Sequence, residues 1–368
     1  MIIGVDASRA TAARRTGTEA YSLAITRALL NLDSPHEWRL YFRDEPPPNH
    51  LTRWRELPNH RVTNVIIHQR RLWTHLGLSN ELRRSRPNRL FIPAHVLPLY
   101  HPCPSVVTVH DLGYLRFPDA HPPGQRLYLD WSTRFSARYA SALIADSEAT
   151  KRDLVEHYYT PPEKIAVVYP GYDDSLKPVR HPSRRSPVLE KYNLTQNFLL
   201  HVGTIQPRKN LERLIDAYDP SQIALVLAGR RGWLADSIYE KGKARGVMFL
   251  DYVADDELAA LYSSATAYVA PSLYEGFGFT VLEAMACGTP VICSDGGSLP
   301  EVAGDAALII PARDTQALAE AIRQVVADSE LRRTMTMNGF RNLARFSWKR
   351  AAEQTLKVIE ESGKGSTD

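Results

Sequence analysis

The richest chemistry in the sequence lies in residues 267–295, AYVAPSLYEGFGFTVLEAMACGTPVICSD. An apolar run ends at Ala270, a short loop reaches Glu275-Gly276-Phe277-Gly278, and a helix is expected from about Thr280. Glycines between a strand and a helix let the backbone approach a ligand, and the helix amino terminus offers N–H groups and a positive dipole end suited to phosphate. Glu275 belongs to the loop and Glu283 to the expected first turn. Carboxylates accept hydrogen bonds from paired hydroxyls, so a sugar and a ribose are natural partners. Alone, Glu283 equally suits a helix-start acid that complements the dipole, and Glu275 a solvated loop acid. The Gly-x-Gly here does not extend to the dinucleotide fingerprint, because Leu282 and Glu283 follow.

Four further segments follow apolar runs. In FLLHVGTIQPRKNLERLIDAY (198–218) a strand is expected to end at Gly203, with Arg208 and Lys209 just before an amphipathic helix. Two cations there can neutralise a diphosphate as charge develops on it; the plainer alternative is a basic turn capped by Asn210. In 106–119 a strand ends in His110-Asp111, where Asp111 either orients the histidine or caps the next turn. Residues 15–21 place Gly17 in a turn that opens a helix and suits a phosphate or an acceptor, the plainer alternative being turn chemistry with Thr18 as the N-cap. In 145–151, Asp146 or Ser147 suits a helix cap with Glu148 behind it. No nucleophile elbow, Walker loop or HExxH occurs. No Asp-x-Asp occurs either, so a metal-chelated diphosphate of that kind is not expected, and no metal site is assigned.

These segments need a scaffold that presents loops at strand ends. Short apolar runs occur at 2–5, 38–42, 61–67, 90–92, 105–108, 142–145 and 165–168, then at 198–202, 224–228, 247–249, 267–270, 290–293 and 307–310. They lack polar alternation, as strands buried on both faces should. Helical stretches stand between them at 18–32, 123–138, 148–158, 211–218, 255–264, 280–286 and 315–328, with a last one at 349–361. Alternation of this kind predicts α/β architecture with parallel sheets. A Pro-, Ser- and charge-rich stretch at 173–197 reads as a linker. The expected organisation is a first domain, 1–175, and a second domain, 190–345, facing it across a cleft.

The 368 residues suffice for two such domains. Three cysteines without CxxC spacing argue against a disulfide framework and a structural zinc site, and point to a reducing cytosol. No apolar run reaches the length of a membrane span, and the start does not read as a signal peptide. The net charge of +4 is unevenly spread: 26 Lys+Arg against 19 Asp+Glu in residues 1–190, then 19 against 22. A basic first half suits an anionic partner.

The segments HVGTIQPRKNL, PSLYEGFGFTVLEAMACGTPVI and LPEVAGDAAL, supported by VTVHDLGY and ADSEATK, resemble the retaining nucleotide-sugar glycosyltransferases of family 4, which have the GT-B fold of two Rossmann-like domains; the resemblance implies that a helix at 346–361 returns to the first domain. The P-R-K-N form is similar to bacterial mannosyltransferases of O-antigen and exopolysaccharide assembly. The resemblance implies that Glu275 binds the donor sugar and Glu283 the ribose. It implies that the N–H groups of Phe277, Gly278 and Phe279 hold the distal phosphate, with Gly276, Thr280 and Val281 close by, and that Arg208 and Lys209 neutralise the diphosphate. His110 would contact the sugar near the reacting carbon, Gly17 and Gly203 would lie near the diphosphate, and the base would stack by Gly229, Tyr252 and Val253. Three departures stand out: Gln206 where relatives often have Glu, Phe279-Thr280 in place of Leu-Pro, and an Arg14-Arg15-Thr16-Gly17 turn without a double glycine.

A family-4 enzyme of this kind needs no cofactor beyond a nucleotide-sugar co-substrate, GDP-mannose being favoured. It uses no metal and acts on a glycan or lipid-diphosphate-linked acceptor. The anomeric carbon–oxygen bond breaks through an oxocarbenium-like state, the acceptor enters on the same face, and the leaving phosphate takes its proton. The basic segments at 70–73 and 83–89, interleaved with Leu72, Trp73, Leu76 and Leu78, suit an anionic membrane surface. A cytoplasmic enzyme visiting the inner membrane face is expected. A phosphorylase or epimerase of the same fold, and an idle sugar-nucleotide-binding subunit, are the alternatives. Nucleic acid is not an expected partner, because the arginines form no recognisable module.

Overall fold

The computed structural model describes residues 1–12, 17–46, 62–69, 71–118, 122–195 and 197–363. The apolar runs form two all-parallel sheets. The first comprises β1 (Ile2–Asp6), β2 (Glu37–Phe42), β3 (Val62–Ile66), β4 (Arg89–Ile92), β5 (Ser105–Val109), β6 (Ala142–Ala145) and β7 (Ile165–Val167), in the order β3-β2-β1-β4-β5-β6-β7. The second comprises β8 (Phe198–Val202), β9 (Ala224–Ala228), β10 (Met248–Leu250), β11 (Ala267–Ala270), β12 (Val291–Ser294) and β13 (Ala307–Ile310), in the order β10-β9-β8-β11-β12-β13. Both show the predicted α/β class. Strand β10 lies one residue further along than the apolar run 247–249 suggests, with Val247 packed into the core before it.

Helices cover the sheets because each central strand is apolar on both faces. In the second sheet, Leu199, Leu227 and Val269 pack against Leu214 of the helix Leu211–Ala217 and Ile322 of the helix Thr315–Ala327. In the first, Leu90, Val107 and Leu143 pack with Leu154 of the helix Glu148–Tyr158. Each such side chain contributes about 2 kcal/mol on burial. The helix Trp348–Glu361 buries Ala351, Ala352, Thr355 and Ile359, a single stripe, against the helix Gly17–Leu30. Its entry is tight: a Cβ on Gly171 would stand 2.3 Å from the Trp348 nitrogen.

The chain divides into two units, one of residues 1–115, 123–171 and 346–368, the other of 116–122 and 172–345. The stretch 173–197 is therefore part of the second unit and not a free linker. It contains the helix Pro182–Lys191, and Glu257 of the helix Asp255–Ser264 receives hydrogen bonds from Lys191 Nζ (2.6 Å) and Tyr192 Oη (2.7 Å). Only Leu189 of that helix is fully buried, and Pro187 lies inside it, so no apolar period marks it in the sequence. Thr18 is inside the helix Gly17–Leu30 and is not its N-cap; residues 13–16, which hold Arg14, Arg15 and Thr16, lie outside the described residues. The three cysteines are buried free thiols. Among the described residues no helix is long and apolar enough to cross a membrane.

Candidate functional site

Each sheet reverses its strand order once, between β1 and β4 and between β8 and β11. Ligands of parallel α/β sheets bind beyond the carboxyl ends of the strands at such a reversal. Gly203 follows β8 and Glu275 follows β11, so the second unit gathers its chemistry at that point. The exit from β8 is close-packed. Gly203 and Gly229 have φ of +154° and +143°, and a Cβ on Gly229 would sit 2.0 Å from the Gly203 carbonyl oxygen. Only glycine meets both the torsion and the space.

The chain then makes a 3-10 turn, Pro207–Lys209, and Asn210 follows in the left-handed region at φ 58°. Asn210 does not cap the next helix through its side chain. Its Nδ2 instead donates to the carbonyls of Pro271 (3.0 Å) and Ala312 (2.7 Å), fixing the turn to the exits of β11 and β13. Arg208 and Lys209 are thereby carried to Glu275. Lys209 Nζ donates to Glu275 Oε1 at 2.6 Å, Arg208 Nη1 to Oε2 at 3.0 Å, and Ser272 Oγ also to Oε1. The three charged side chains are only 12–17% exposed. Burial pushes the Glu275 carboxyl up, but the Lys209 and Arg208 charges and the Lys209 and Ser272 hydrogen bonds outweigh it. The net result lies well below the usual carboxylate range. The result is an ionised acceptor flanked by two cations.

Residues that sequence reasoning passed over hold this loop. Ser298 Nα and Oγ both donate to the Glu275 carbonyl at 3.0 Å, and Ser298 Oγ also reaches the Phe277 carbonyl at 2.7 Å. Gly297, at φ +68°, runs beside them; a Cβ there would meet the Glu275 carbonyl at 2.3 Å. The adjacent glycines 296 and 297 after the apolar run 290–293 were the available signal. His201 on β8 is a second such residue. Its Nδ1 donates to the Val269 carbonyl (2.9 Å), its buried Nε2 faces Gly203, and burial followed by the Lys209 charge pushes its pKa down to about 4, so it stays neutral.

The helix after the loop is Phe279–Ala286, entered through Gly278 at φ 101°. Phe277, Gly278 and Phe279, the residues expected at the distal phosphate, stand at its entry. Gly276 and Phe277 are buried against the loop. Thr280 Oγ1 accepts from Tyr268 Oη at 2.7 Å. Val281 offers little to a ligand: its side chain is fully buried and its N–H donates to the Gly278 carbonyl. Glu283 is the fifth helical residue, beyond the first turn, so complementing the dipole does not account for it. Its Oε2 accepts from Tyr262 Oη at 3.0 Å. Among the residues expected by the base, the Gly229 N–H donates to the carbonyls of Leu250 (2.9 Å) and Asp251 (3.1 Å). The Val253 side chain is buried, and Tyr252 is 68% exposed.

In the first unit, Gly17 begins the helix that follows β1, and His110 follows β5. Asp111 does not orient His110; its Oδ1 caps the next turn through the Gly113 N–H (2.9 Å). The partner is Asp146, whose Oδ2 lies 2.6 Å from His110 Nδ1. Ser147 takes the capping role, accepting from the Thr150 N–H at 3.0 Å. His110 Nε2 is 2.9 Å from the Pro93 carbonyl, which can only accept, so that nitrogen carries a proton. The backbone N–H of His110 donates to His95 Nε2 (3.0 Å), and burial, then His110, push the His95 pKa down to about 3. For His110, burial disfavours charge, yet Asp146, Asp111 and the Pro93 carbonyl prevail and raise its pKa. The imidazole is thus fixed by protein at both nitrogens.

The basic and apolar segment of the first unit is partly internal. Trp73 and Leu78, in the π-helical turn Trp73–Leu78, are buried, whereas Leu72 and Leu76 are exposed; Arg70 lies outside the described residues. His75 of that turn is 3.1 Å from Tyr128 Oη, which joins it to the helix Pro123–Tyr139 with exposed Leu127, Tyr128, Trp131 and Tyr139. In the second unit, a recess of about 520 Å³ opens at the amino-terminal end of the sheet, away from Glu275, and includes Arg185, Arg332 and Arg333. Arg332 donates to the Val325 and Val326 carbonyls and Arg185 to that of Ser263, so two of the three arginines answer helix carboxyl ends.

Comparison with known proteins gives the family and the fold. Residues 15–176 match the family described as Glycosyltransferase Family 4, and residues 186–342 the one described as Glycosyl transferases group 1. O-antigen chain mannosyltransferase B of Escherichia coli is 35% identical over 267 residues, 70% of each chain. Sucrose-phosphate synthase from Thermosynechococcus elongatus superposes with a TM-score of 0.76 at 21% identity over 98% of each chain. Anabaena HepE, solved in complex with UDP-glucose, gives 0.75 at 18% identity over 98% of this chain and 99% of that one. The chain therefore belongs to the family 4 glycosyltransferases, with a Family 4 domain ahead of a group 1 domain on the GT-B fold.

Proposed function

We propose that this glycosyltransferase moves mannose from GDP-mannose to a glycan or lipid-diphosphate-linked acceptor in cell-surface polysaccharide synthesis, with retention and without a metal ion. The observation that carries the reading is the ionised Glu275 carboxyl between Lys209 and Arg208 at the sheet reversal. In the reaction, Glu275 accepts from donor hydroxyls while the two cations meet the diphosphate. As the bond from the anomeric carbon to the phosphate oxygen breaks, charge grows on that oxygen beside fixed positive groups. The acceptor oxygen bonds to the same face of the anomeric carbon, and its proton passes to the departing phosphate. Glu275 already has both oxygens engaged by cations, which suits it to orientation rather than to nucleophilic attack. The Lys209 and Arg208 cations and a helix start supply the charge that a metal supplies elsewhere. His110, held at its two ring nitrogens by Asp146 and the Pro93 carbonyl, is a fixed group at the end of β5. The E. coli mannosyltransferase similarity supports the sugar.

The test is a panel of GDP-, UDP- and ADP-sugars. GDP-mannose is expected to raise the unfolding temperature most, since a ligand at 100 times its Kd stabilises by about 2.7 kcal/mol, and to be consumed with an α-linked product in the presence of chelator. A response to UDP- or ADP-sugars alone overturns the donor, and loss of turnover with chelator overturns metal independence.

The acceptor side of the proposal includes an anionic membrane at the cytoplasmic face. The exposed Leu72, Leu76, Leu127 and Trp131, with exposed Arg71, Arg126 and Arg134, form an apolar and cationic surface of the kind that lies in a lipid interface. The protein is expected to float with phosphatidylglycerol vesicles at low salt and to be released at high salt. No flotation at low salt ends this part of the proposal.

A further inference from the structure

Two buried tyrosines stand behind the helix Phe279–Ala286. Tyr268 donates to Thr280 Oγ1 at the helix start, and Tyr262 donates to Glu283 Oε2 one turn later. Tyr262 is fully buried, and its ring meets that of Tyr268 edge-on with centroids 5.6 Å apart. Its backbone is also held, since the Tyr262 carbonyl accepts from Thr289 Oγ1 at 2.7 Å. The phenol is therefore fixed at ring, backbone and hydroxyl. Burial and the neighbouring Glu283 charge push its pKa well above the usual tyrosine range, so it remains a donor at any working pH.

A buried phenol needs an acceptor, but a backbone carbonyl or a threonine satisfies it without placing a carboxylate in a half-buried position. Glutamate on a helix has three side-chain torsions, and a hydrogen bond to one oxygen selects among them at the other end. We propose that Tyr262 is a positioning residue that sets the Glu283 carboxylate to accept the hydroxyls of the ribose of a nucleoside diphosphate. The proposal rests on the reading of Glu283 as the ribose acceptor, and the experiment separates the two.

The measurement is calorimetric titration with GDP and 2′-deoxy-GDP, and with UDP and 2′-deoxy-UDP, on the full chain. The wild type is expected to bind the ribonucleotide about tenfold more tightly than its deoxy counterpart, the worth of one hydrogen bond to a charged group. Glu283→Gln should bring that ratio to near one. Tyr262→Phe, which keeps the ring and its contact with Tyr268, should bring it within about threefold, and adding it to Glu283→Gln should change the ratio no further. If Tyr262→Phe weakens ribo and deoxy forms equally, Tyr262 is only structural and the proposal falls. If Glu283→Gln leaves the ratio intact, the ribose reading itself falls. Should Tyr262→Phe fail to fold, Tyr262→Leu, which also removes the hydroxyl, takes its place, with an unchanged ratio counting against the proposal.

Discussion

Glu275→Ala and Lys209→Ala are each expected to cut turnover by about a hundredfold to a thousandfold while leaving the protein folded. Loss of one group that meets charge in a transition state costs about 3–4 kcal/mol. In the proposed reaction Lys209 is such a group for the departing diphosphate, and Glu275, which orients the sugar there, also holds Lys209 in place through a 2.6 Å contact. Glu275→Gln separates these duties, because the amide keeps the shape and loses the charge. Steady-state kinetics with unfolding curves on the same samples is the check, and near-wild-type turnover in both alanine variants refutes the site. The carboxyl also leaves a mark on stability. Its pKa is depressed in the folded chain, so its contribution is present above the unfolded carboxylate value, about 4.3, and fades as pH falls through the folded one. The margin of wild type over Glu275→Gln should therefore shrink in acid.

The second large effect is expected at Asp146. Asp146→Ala removes the partner of a buried imidazole whose other nitrogen is committed to the Pro93 carbonyl. Breaking a buried pair from one side costs about 3–5 kcal/mol, and urea unfolding of the first unit should show a loss of that size. Because the His110 pKa is raised, the protonated form contributes fully below the unfolded histidine value, about 6.5, and the contribution declines as pH rises through the folded value. The deficit of Asp146→Ala should thus be widest near pH 6 and narrow toward alkaline pH. A deficit that does not change with pH rules out the pairing.

The strands were readable because parallel strands buried on both faces write themselves as unbroken apolar runs, and β6, β8, β9, β11 and β13 begin and end at the residues those runs mark. The acids and cations of the second unit were readable for a related reason: they follow strands whose ends a sheet reversal must bring together. The Asp146–His110 pair was not, since a capping position next to Ser147 explains an aspartate locally and nothing local links positions 36 apart. Asn210 misled in the same way, its residue type fitting a cap while its side chain serves two distant carbonyls. Glu283 changed meaning with a one-residue shift in where the helix begins. The helix Pro182–Lys191 escaped because a helix that buries one leucine leaves no period to find.

The route of the chain through its units bears on how the protein comes into being. The second unit is drawn almost entirely from one continuous stretch, 172–345, whereas the first needs residues 346–361 to cover the helix Gly17–Leu30. During synthesis the group 1 domain can therefore close while the earlier-made Family 4 domain still waits for its last helix. Domains generally fold in the order they emerge; here the first unit includes the last helix to be made. Until Ala352 and Ile359 arrive, an apolar helix face of the first unit stays in contact with water and whatever chaperone attends the nascent chain.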